Sequence, residues 1–359
     1  MKITIAGGGN IGTQFAVHCA AKGHCVTVYT SSPELYDGHL NIVDETGVTT
    51  LQGDIELATN NPETAFGNTD FIIVAVPSTM MAEMAETIYI HSDFRPIIGV
   101  VAGNGGSECA FRKCIARGNV FFGMERVPAV ARLVQKGKTV RSVGYRQELH
   151  IASLPKSKVT ECADLISNIF DKPCKVIPNF LNLTMTPSNP ILHTARLKTL
   201  FANWHPGLVY ERVPLFYEDW DNASSELLIA CDNEVQNICR ELPEFDLKYV
   251  KSLREYYESP TAEAMTKKIS SIPAFKGLET PTVKVEGGLI PDLHSRYFAA
   301  DFSYGLAIIK QIADFANVKT PNIDIIMAWY KSIAIEKKDF NFKDYGIFNR
   351  MDFEKFYQI

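Results

Sequence analysis

An α/β fold, with a doubly wound parallel sheet leading into a mostly helical second domain, is the architecture this sequence predicts. Three observations carry it. Residues 1–12 read as a short strand, Lys2–Ala6, then Gly7-Gly8-Gly9-Asn10-Ile11-Gly12, then the start of a helical pattern. The first half goes on alternating strand with helix, and two of its runs, Phe71–Val76 and Ile97–Ala102, contain no polar side chain. Continuous apolar strands are what a parallel sheet covered on both faces needs. The alternation stops between Lys175 and Pro187, and from Asn189 onward the pattern is helical.

Gly7, Gly9 and Gly12 fit G-x-G-x-x-G, and each glycine has its own task. The first permits a tight turn, the second lets a pyrophosphate approach the backbone, and the third lets helix and strand pack closely. The helix that opens there offers unpaired N–H groups and the positive end of its dipole to phosphate, so Asn10 and Ile11 join the glycines as candidate cofactor contacts. Spaced glycines alone would suit any glycine-rich turn. Here a strand precedes them, a helix follows, and a second strand, Cys25–Thr30, comes next. This Rossmann-type context is the one the motif requires.

At the end of that second strand, about 20 residues beyond the glycines, an Asp or Glu usually reads the adenosine ribose. Thr30-Ser31-Ser32 stand there instead, and the first carboxylate is Glu34. The missing acid removes repulsion against a 2′-phosphate and three hydroxyls could donate to one, which favours NADP(H). No Arg or Lys follows Lys22 in this stretch to pair with a phosphate, so NAD(H) stays open. The three residues also serve simply as a turn before Pro33.

Further strands are expected at Phe71–Ala75, Ile97–Val101, Val120–Gly123 and Val140–Tyr145, and helices at Gly12–Lys22, Met80–Ile90, Cys109–Arg117 and Lys158–Phe170. Right-handed crossovers between such units give the doubly wound sheet. Ligands bind beyond the carboxyl ends of its strands. Val76 and Pro77 lie there as candidate cofactor contacts, and Gly103 and Asn104, opening a glycine cluster, as candidate substrate contacts. An ordinary flexible loop is an equal reading of that cluster.

The expected domains are 1–184, binding the dinucleotide, and 185–359, helical, with the catalytic cleft between them. In the second, Leu227, Cys231, Val235, Ile238, Cys239 and Leu242 form one apolar stripe; Leu306, Ile309, Ile312, Ala313 and Ala316 form another; Ile323 to Ile335 form a third. With 359 residues the chain is long enough for two cores. A net charge of −5 argues against nucleic acid or an anionic membrane as partner. The eight cysteines include no C-x-x-C pair and no zinc spacing, so neither a metal site nor a secreted disulfide framework is expected. A strand beginning at residue 2 leaves no room for a signal peptide, and the longest apolar runs are strand length. A cytoplasmic protein is expected. The pattern does not fix its oligomeric state; a homodimer is compatible with it.

Two clusters in the helical half could carry chemistry. In Asn189-Pro190-Ile191-Leu192-His193, Pro190 suits a first helical turn, which puts Asn189 near the cap and His193 one turn in, on the same side. Such a histidine could donate a proton to a substrate near neutral pH. On local sequence, a histidine satisfied by a backbone carbonyl is the better reading. The second cluster is His294-Ser295-Arg296-Tyr297-Phe298-Ala299-Ala300-Asp301. Ser295 or Asp292 could cap a helix there, leaving Arg296 in a first turn where the dipole disfavours a cation. A bound carboxylate would supply a purpose. Five residues separate Arg296 from Asp301, so a regular helix would point them about 140° apart. Both face one site only if Arg296 belongs partly to the preceding loop; otherwise they are solvated surface charges.

Over most of its length the chain resembles the octopine/nopaline (opine) dehydrogenases, enzymes that reductively couple an amino acid to a 2-oxo acid. The resemblance rests on the glycine fingerprint, Asn-Pro-x-x-His at 189–193, Pro273-Ala274-Phe275-Lys276-Gly277, Arg-Tyr-x-x-x-Asp at 296–301, and Ser303-Tyr304-Gly305-Leu306. It implies a catalytic set of His193, Arg296 and Asp301, with Asn189 and Arg296 at the substrate. It implies small-molecule partners, an amino acid and a 2-oxo acid such as pyruvate, joined through an imine that NAD(P)H reduces. A ketopantoate-type reductase is the second reading; its lysine proton donor would be Lys198, five residues past His193 and directed elsewhere on a regular helix. A non-catalytic dinucleotide sensor is the third.

Overall fold

The computed structural model describes residues 1–186, 188–334 and 339–358. The chain forms two compact units: Met1–Thr184 together with Lys355–Ile359, and Met185–Glu354. The expected second domain ran to the end of the chain, whereas the last residues belong with the first unit. The reason is a polar anchor in an apolar setting. The Tyr357 hydroxyl and Thr184 Oγ1, the latter at 2.6 Å, both donate to the fully buried Glu108 carboxyl. Burial pushes the Glu108 pKa above the usual carboxylate range.

The first unit contains strands β1 (Lys2–Ala6), β2 (Cys25–Tyr29), β3 (His39–Val43), β4 (Thr49–Asp54), β5 (Leu57–Thr59) and β6 (Phe71–Val74). These are followed by β7 (Ile97–Val101), β8 (Phe121–Met124), β9 (Val130–Gln135), β10 (Thr139–Val143), β11 (Leu149–Leu154) and β12 (Cys174–Val176). Eight of them make the main sheet in the order β12-β11-β8-β7-β6-β1-β2-β5. Its pairs are parallel except β8 with β11, which run antiparallel. The strand order reverses at β1, where the glycine turn sits, and this reversal is where a doubly wound sheet opens a crevice.

The sequence pattern placed Val140–Tyr145 in the main sheet. The structure puts β10 instead in a second, four-stranded sheet, ordered β4-β3-β10-β9. Most of this sheet escapes a search for apolar runs because its strands bury one face only. Val140 and Ser142 of β10 are buried while Arg141 is exposed, and β4 is polar and largely solvated. The helix Asn10–Ala21 lies against both sheets and shares one buried cluster with them, through Phe15, Ala16 and Cys19 beside Ile5 of β1, Leu40 of β3 and Val140 of β10. Gln14 Nε2 donates to Ser142 Oγ at 2.7 Å. Burial on two sides explains why this helix is apolar nearly all round. The expected helix Cys109–Arg117 is divided at Phe111 into Ser107–Ala110 and Arg112–Arg117.

In the second unit the main helices are Ser188–Leu200, Asn222–Arg240, Ala262–Ser271, Ala307–Phe315 and Pro321–Ile333. The apolar stripes become their buried faces: Cys231, Val235 and Ile238 on one, Ile309, Ile312 and Ala313 on another, Ile323, Ile326 and Tyr330 on a third. Ile335, the expected end of the third stripe, lies outside the described residues. A hairpin, Thr282–Val285 with Gly288–Pro291, precedes the Arg296 segment. Among the described residues no helix is long and apolar enough to cross a membrane.

Candidate active site

The glycine turn opens onto a cavity of about 760 Å³ whose wall includes Gly7, Gly8, Gly9, Thr30, Ser31 and Pro77. That volume is in the range of cofactor pockets. Three chain segments converge because β1, β2 and β6 are neighbours and end on the same side. Gly12 is packed so tightly that a Cβ there would lie 1.7 Å from the Gly7 carbonyl oxygen. This is the close approach that the third glycine of the motif provides. Gly9 caps the helix without any side-chain hydrogen bond, the first turn carries no acid, and a Cβ on Gly9 would meet open space. Free N–H groups, a dipole end and an open approach suit a pyrophosphate. The residues present fit a dinucleotide.

The other candidate cofactor contacts divide. Val76 lines the cavity with Pro77; Ser32 is absent from the wall but accepts through Oγ from Lys136, which lines it. Asn10 has a structural partner, since its Oδ1 accepts from the Leu133 N–H at 2.7 Å and ties the helix to β9. Ile11 packs against the buried cluster. Gly103 is buried with its Cα against Gly123, and its N–H donates to the Met124 carbonyl at 2.7 Å; it and the half-buried Asn104 are absent from the cavity wall. Sequence reading missed Lys136, which lines the cavity from the turn between β9 and β10.

In the second unit, His193 is held at both ring nitrogens. Nδ1 lies 2.7 Å from Asp301 Oδ2, and Nε2 lies 2.7 Å from Tyr217 Oη. A carboxylate can only accept, so the neutral ring carries its proton on Nδ1 and takes the Tyr217 O–H at Nε2. The His193 side chain is 4% exposed and that of Asp301 13%, which makes the pair a largely desolvated one. Aromatic rings wall it: Tyr297 meets the imidazole edge-on at 4.6 Å and Phe216 at 5.7 Å, while Phe275 stacks on Tyr217 at 4.1 Å. Burial pushes the Tyr217 pKa well above the usual phenol value, with Tyr297 adding to the shift, so its proton stays on.

Local sequence explains how these groups meet. Tyr297 and Asp301 are four residues apart and share a face toward His193. The segment is not one regular helix: a single turn, Arg296–Ala299, gives way to a π-helical stretch, Phe302–Leu306, whose closing N–H reaches back to the Asp301 carbonyl at 2.8 Å. Such π turns frequently mark functional sites. Gly305 in that stretch lies against Pro190, where a Cβ would come within 2.9 Å of the proline ring, so the Asn-Pro-x-x-His and Ser-Tyr-Gly-Leu motifs interlock. Tyr217 arrives on a loop that Arg196 organises. This arginine is fully buried; its guanidinium donates to the carbonyls of Phe216, Leu215 and Asp219 and pairs with Asp221 at 3.0 Å.

Arg296 is exposed, and among the described residues its guanidinium has no hydrogen-bond or ion-pair partner; it lies 5.6 Å over the Tyr297 ring. Asp301 thus touches His193 directly, and Arg296 is linked to it through Tyr297. Ser295 is the cap residue of this turn without bonding through its hydroxyl, and Asp292 accepts from the His294 N–H. Asn189 is exposed, while Lys198 lies 5.6 Å over the Trp329 ring. Among the described residues no cluster of His, Cys, Asp or Glu is placed to hold a metal ion.

A dinucleotide cradle in one unit and a buried, carboxylate-held histidine in the other define a pyridine-nucleotide oxidoreductase with an acid/base centre. Comparison with known proteins narrows the class. Residues 176–334 match the alpha-helical domain of the NAD/NADP octopine/nopaline dehydrogenases, and residues 2–103 match the N-terminus of NAD-dependent glycerol-3-phosphate dehydrogenase. An uncharacterized protein of Sinorhizobium fredii is 29% identical over 359 residues, covering 92% of this chain and 94% of its own. Octopine dehydrogenase of Pecten maximus is 24% identical, covering 92% and 89%. The structure of octopine dehydrogenase with NADH and L-arginine superposes with a TM-score of 0.80 at 23% identity, again over 92% and 89%. Residues 176–334 thus carry the alpha-helical domain of the octopine/nopaline dehydrogenases, and over 92% of its length the chain is similar to an octopine dehydrogenase.

Proposed function

We propose that this protein is an NAD(P)H-dependent opine dehydrogenase, joining the amine of an amino acid to a 2-oxo acid through an imine. The observation that carries the reading is the Asp301–His193–Tyr217 chain within the family's helical domain. The bound nicotinamide supplies the hydride that reduces the imine carbon. The chain's own residues manage charge and protons. Arg296, whose guanidinium has no hydrogen-bond or ion-pair partner among the described residues, holds the oxo acid's carboxylate. His193 is the general acid/base at Nε2, acting on the carbonyl oxygen as water is lost and on the nitrogen of the condensed substrate. Asp301 fixes the tautomer from Nδ1 and stabilises the imidazolium. Tyr217, hydrogen-bonded to Nε2 and kept neutral by burial, relays the proton, giving its own to the substrate as it takes one from Nε2 and the reverse on the way back.

NADP(H) is the favoured cofactor, because hydroxyls stand where a ribose-reading acid would repel a 2′-phosphate. Eight free cysteines support a reducing compartment such as the cytosol. A ketopantoate-type reductase, whose lysine proton donor would be Lys198, is disfavoured because Lys198 lies over the Trp329 ring while Asp301, His193 and Tyr217 form a hydrogen-bonded acid/base chain.

The test is oxidation of NADPH and NADH with pyruvate and other 2-oxo acids, with and without a pool of the twenty amino acids. Oxidation that requires the amine is expected, and subdividing the pool then identifies the amino donor. Amine-independent oxidation would establish a simple 2-oxo acid reductase, and absence of turnover across the panel would leave a dinucleotide sensor.

A further inference from the structure

The cofactor cavity acquires a cation from a part of the chain far from the fingerprint. Lys136 lies in the turn between β9 and β10, and its Nζ donates to Ser32 Oγ at 2.9 Å, across 104 residues of sequence. The same side chain lines the cavity beside Gly7, Thr30 and Ser31. Two neighbours in the turn hold it there. Gly137, with φ of +76°, sits so close to the Leu35 carbonyl that a Cβ would come within 2.3 Å of its oxygen. Lys138 pairs with Asp37 at 2.7 Å and holds that carboxyl below its usual range. Residues 136, 137 and 138 are thus fastened in turn to residues 32, 35 and 37, the segment that follows β2. The second sheet delivers this turn, since β9 is tied to the cofactor helix through Asn10 and β10 through Gln14.

We infer that Lys136, with Thr30, Ser31 and Ser32, forms the subsite that recognises the 2′-phosphate of NADP(H), and so sets cofactor preference. The chemistry at this corner of the cavity is complete for a phosphate monoester. Lys136 brings an ammonium, a point charge of the kind that holds phosphates. Ser31 and Ser32 bring hydroxyl donors, and the Ser32 N–H folds back on Thr30 Oγ1 at 3.3 Å to shape the turn. The cavity wall does contain a carboxylate, Glu83, but it belongs to the helix Met81–His91 after Pro77, and none is supplied by the Thr30–Ser32 segment. The Lys136 ammonium that donates to Ser32 Oγ can turn to a 2′-phosphate with little movement of the turn. This inference rests on the dinucleotide reading of the cavity and is independent of which substrates are coupled.

The experiment measures dissociation constants of the whole protein, by ligand fluorescence for NADPH and NADH and by calorimetry for 2′,5′-ADP and 5′-AMP. Wild type is expected to bind the 2′-phosphorylated member of each pair more tightly. Lys136→Ala should weaken NADPH and 2′,5′-ADP about tenfold, the scale of one charge-assisted contact, and leave NADH and 5′-AMP within about twofold. Lys136→Glu should reverse the preference, and Lys136→Arg should retain it. A wild type without preference for the 2′-phosphate would overturn both the cofactor choice and the subsite. A wild type that prefers NADPH, together with a Lys136→Ala variant that still does so or that loses both cofactors equally, would overturn the subsite alone. Neither result bears on amine-dependent turnover, which tests the opine reading separately.

Discussion

The cofactor cavity and the histidine site are built from opposite materials. On its fingerprint side the cavity takes its shape from main chain: glycines at the end of β1, short hydroxyl residues after β2, and Val76-Pro77 after β6. The histidine site is a meeting of large side chains from segments 24 and 108 residues apart, each positioned by other side chains. A main-chain site is destroyed by adding atoms, and a change of charge matters only at the corner where Lys136 stands. A side-chain site fails when one functional group is removed, although the backbone stands. The two should therefore break under different substitutions and show different kinetic signatures.

The largest effect is expected from His193→Ala. Loss of a general acid/base lowers kcat by about 10³-fold, within the usual range for such groups. NADPH affinity, measured by fluorescence titration, should stay within about twofold because no cavity residue is touched. Turnover close to wild type would remove His193 from the mechanism. The converse substitution is Gly12→Val. With the Cβ position 1.7 Å from the Gly7 oxygen, the turn has to move, and dinucleotide affinity should fall about 100-fold, the upper end of overpacking costs. Near-ultraviolet circular dichroism should show the tertiary fold retained. Unchanged affinity would mean that the turn does not set the approach of the pyrophosphate. Arg296→Ala follows, raising the KM for the oxo acid by about 10- to 100-fold with a smaller change in kcat, as expected for a charged contact made to bound substrate. An unaltered KM would return Arg296 to the solvated surface.

The difference in materials also decides what could be read from sequence. Gly7, Gly9, Gly12 and Thr30-Ser31-Ser32 were legible because main-chain sites need few residue types at fixed spacing. Lys136 was not, because it arrives through a sheet whose strands alternate or are largely polar, a weak periodic signal. His193 and Asp301 stood out as residues and the family resemblance put them in one catalytic set; the helix argument that Arg296 and Asp301 diverge also holds, since Asp301 meets His193 while Arg296 is exposed. Tyr217 carried no motif. Its signal was indirect: Arg196, three residues after His193 on a buried helix face, needs carbonyl and carboxylate partners, and the loop from Leu215 to Asp221 provides them. Local pattern names the actors at such a site, and tertiary structure alone names their partners.

The second unit carries a titratable group in its interior, as the first does at Glu108, and Asp232 makes the cost of that burial measurable. It is buried on the helix Asn222–Arg240, accepts from the Leu253 N–H at 2.8 Å, and burial pushes its pKa up to about 6. A carboxyl whose folded pKa is raised favours the fold most below its unfolded value. That contribution is lost as pH rises from about 4 to about 6 and is absent above. Asp232→Asn keeps an acceptor for Leu253 and abolishes the titration. At pH 7.5 the variant should be more stable by about 2 kcal/mol, visible as a Tm raised by a few degrees, and the gain should vanish near pH 4. A variant less stable at pH 7.5 would show that the ionised carboxylate supports the fold.

The smallest effect, and the one that separates a two-residue site from a three-residue one, is expected of Tyr217→Phe. The substitution removes one oxygen 2.7 Å from His193 Nε2 and leaves the ring stacked on Phe275. If the hydroxyl passes the proton, kcat should fall about tenfold with little change in either substrate KM, since the group acts in proton transfer and not in binding. The solvent deuterium isotope effect on kcat should rise as proton transfer becomes slower relative to the other steps. Were Tyr217 only a cover over the histidine, its loss would open Nε2 to substrate and water, kcat would hold or increase, and the isotope effect would stay as in wild type. The two results give opposite signs for one atom. Either one fixes whether the substrate meets His193 itself or the tyrosine that stands in front of it.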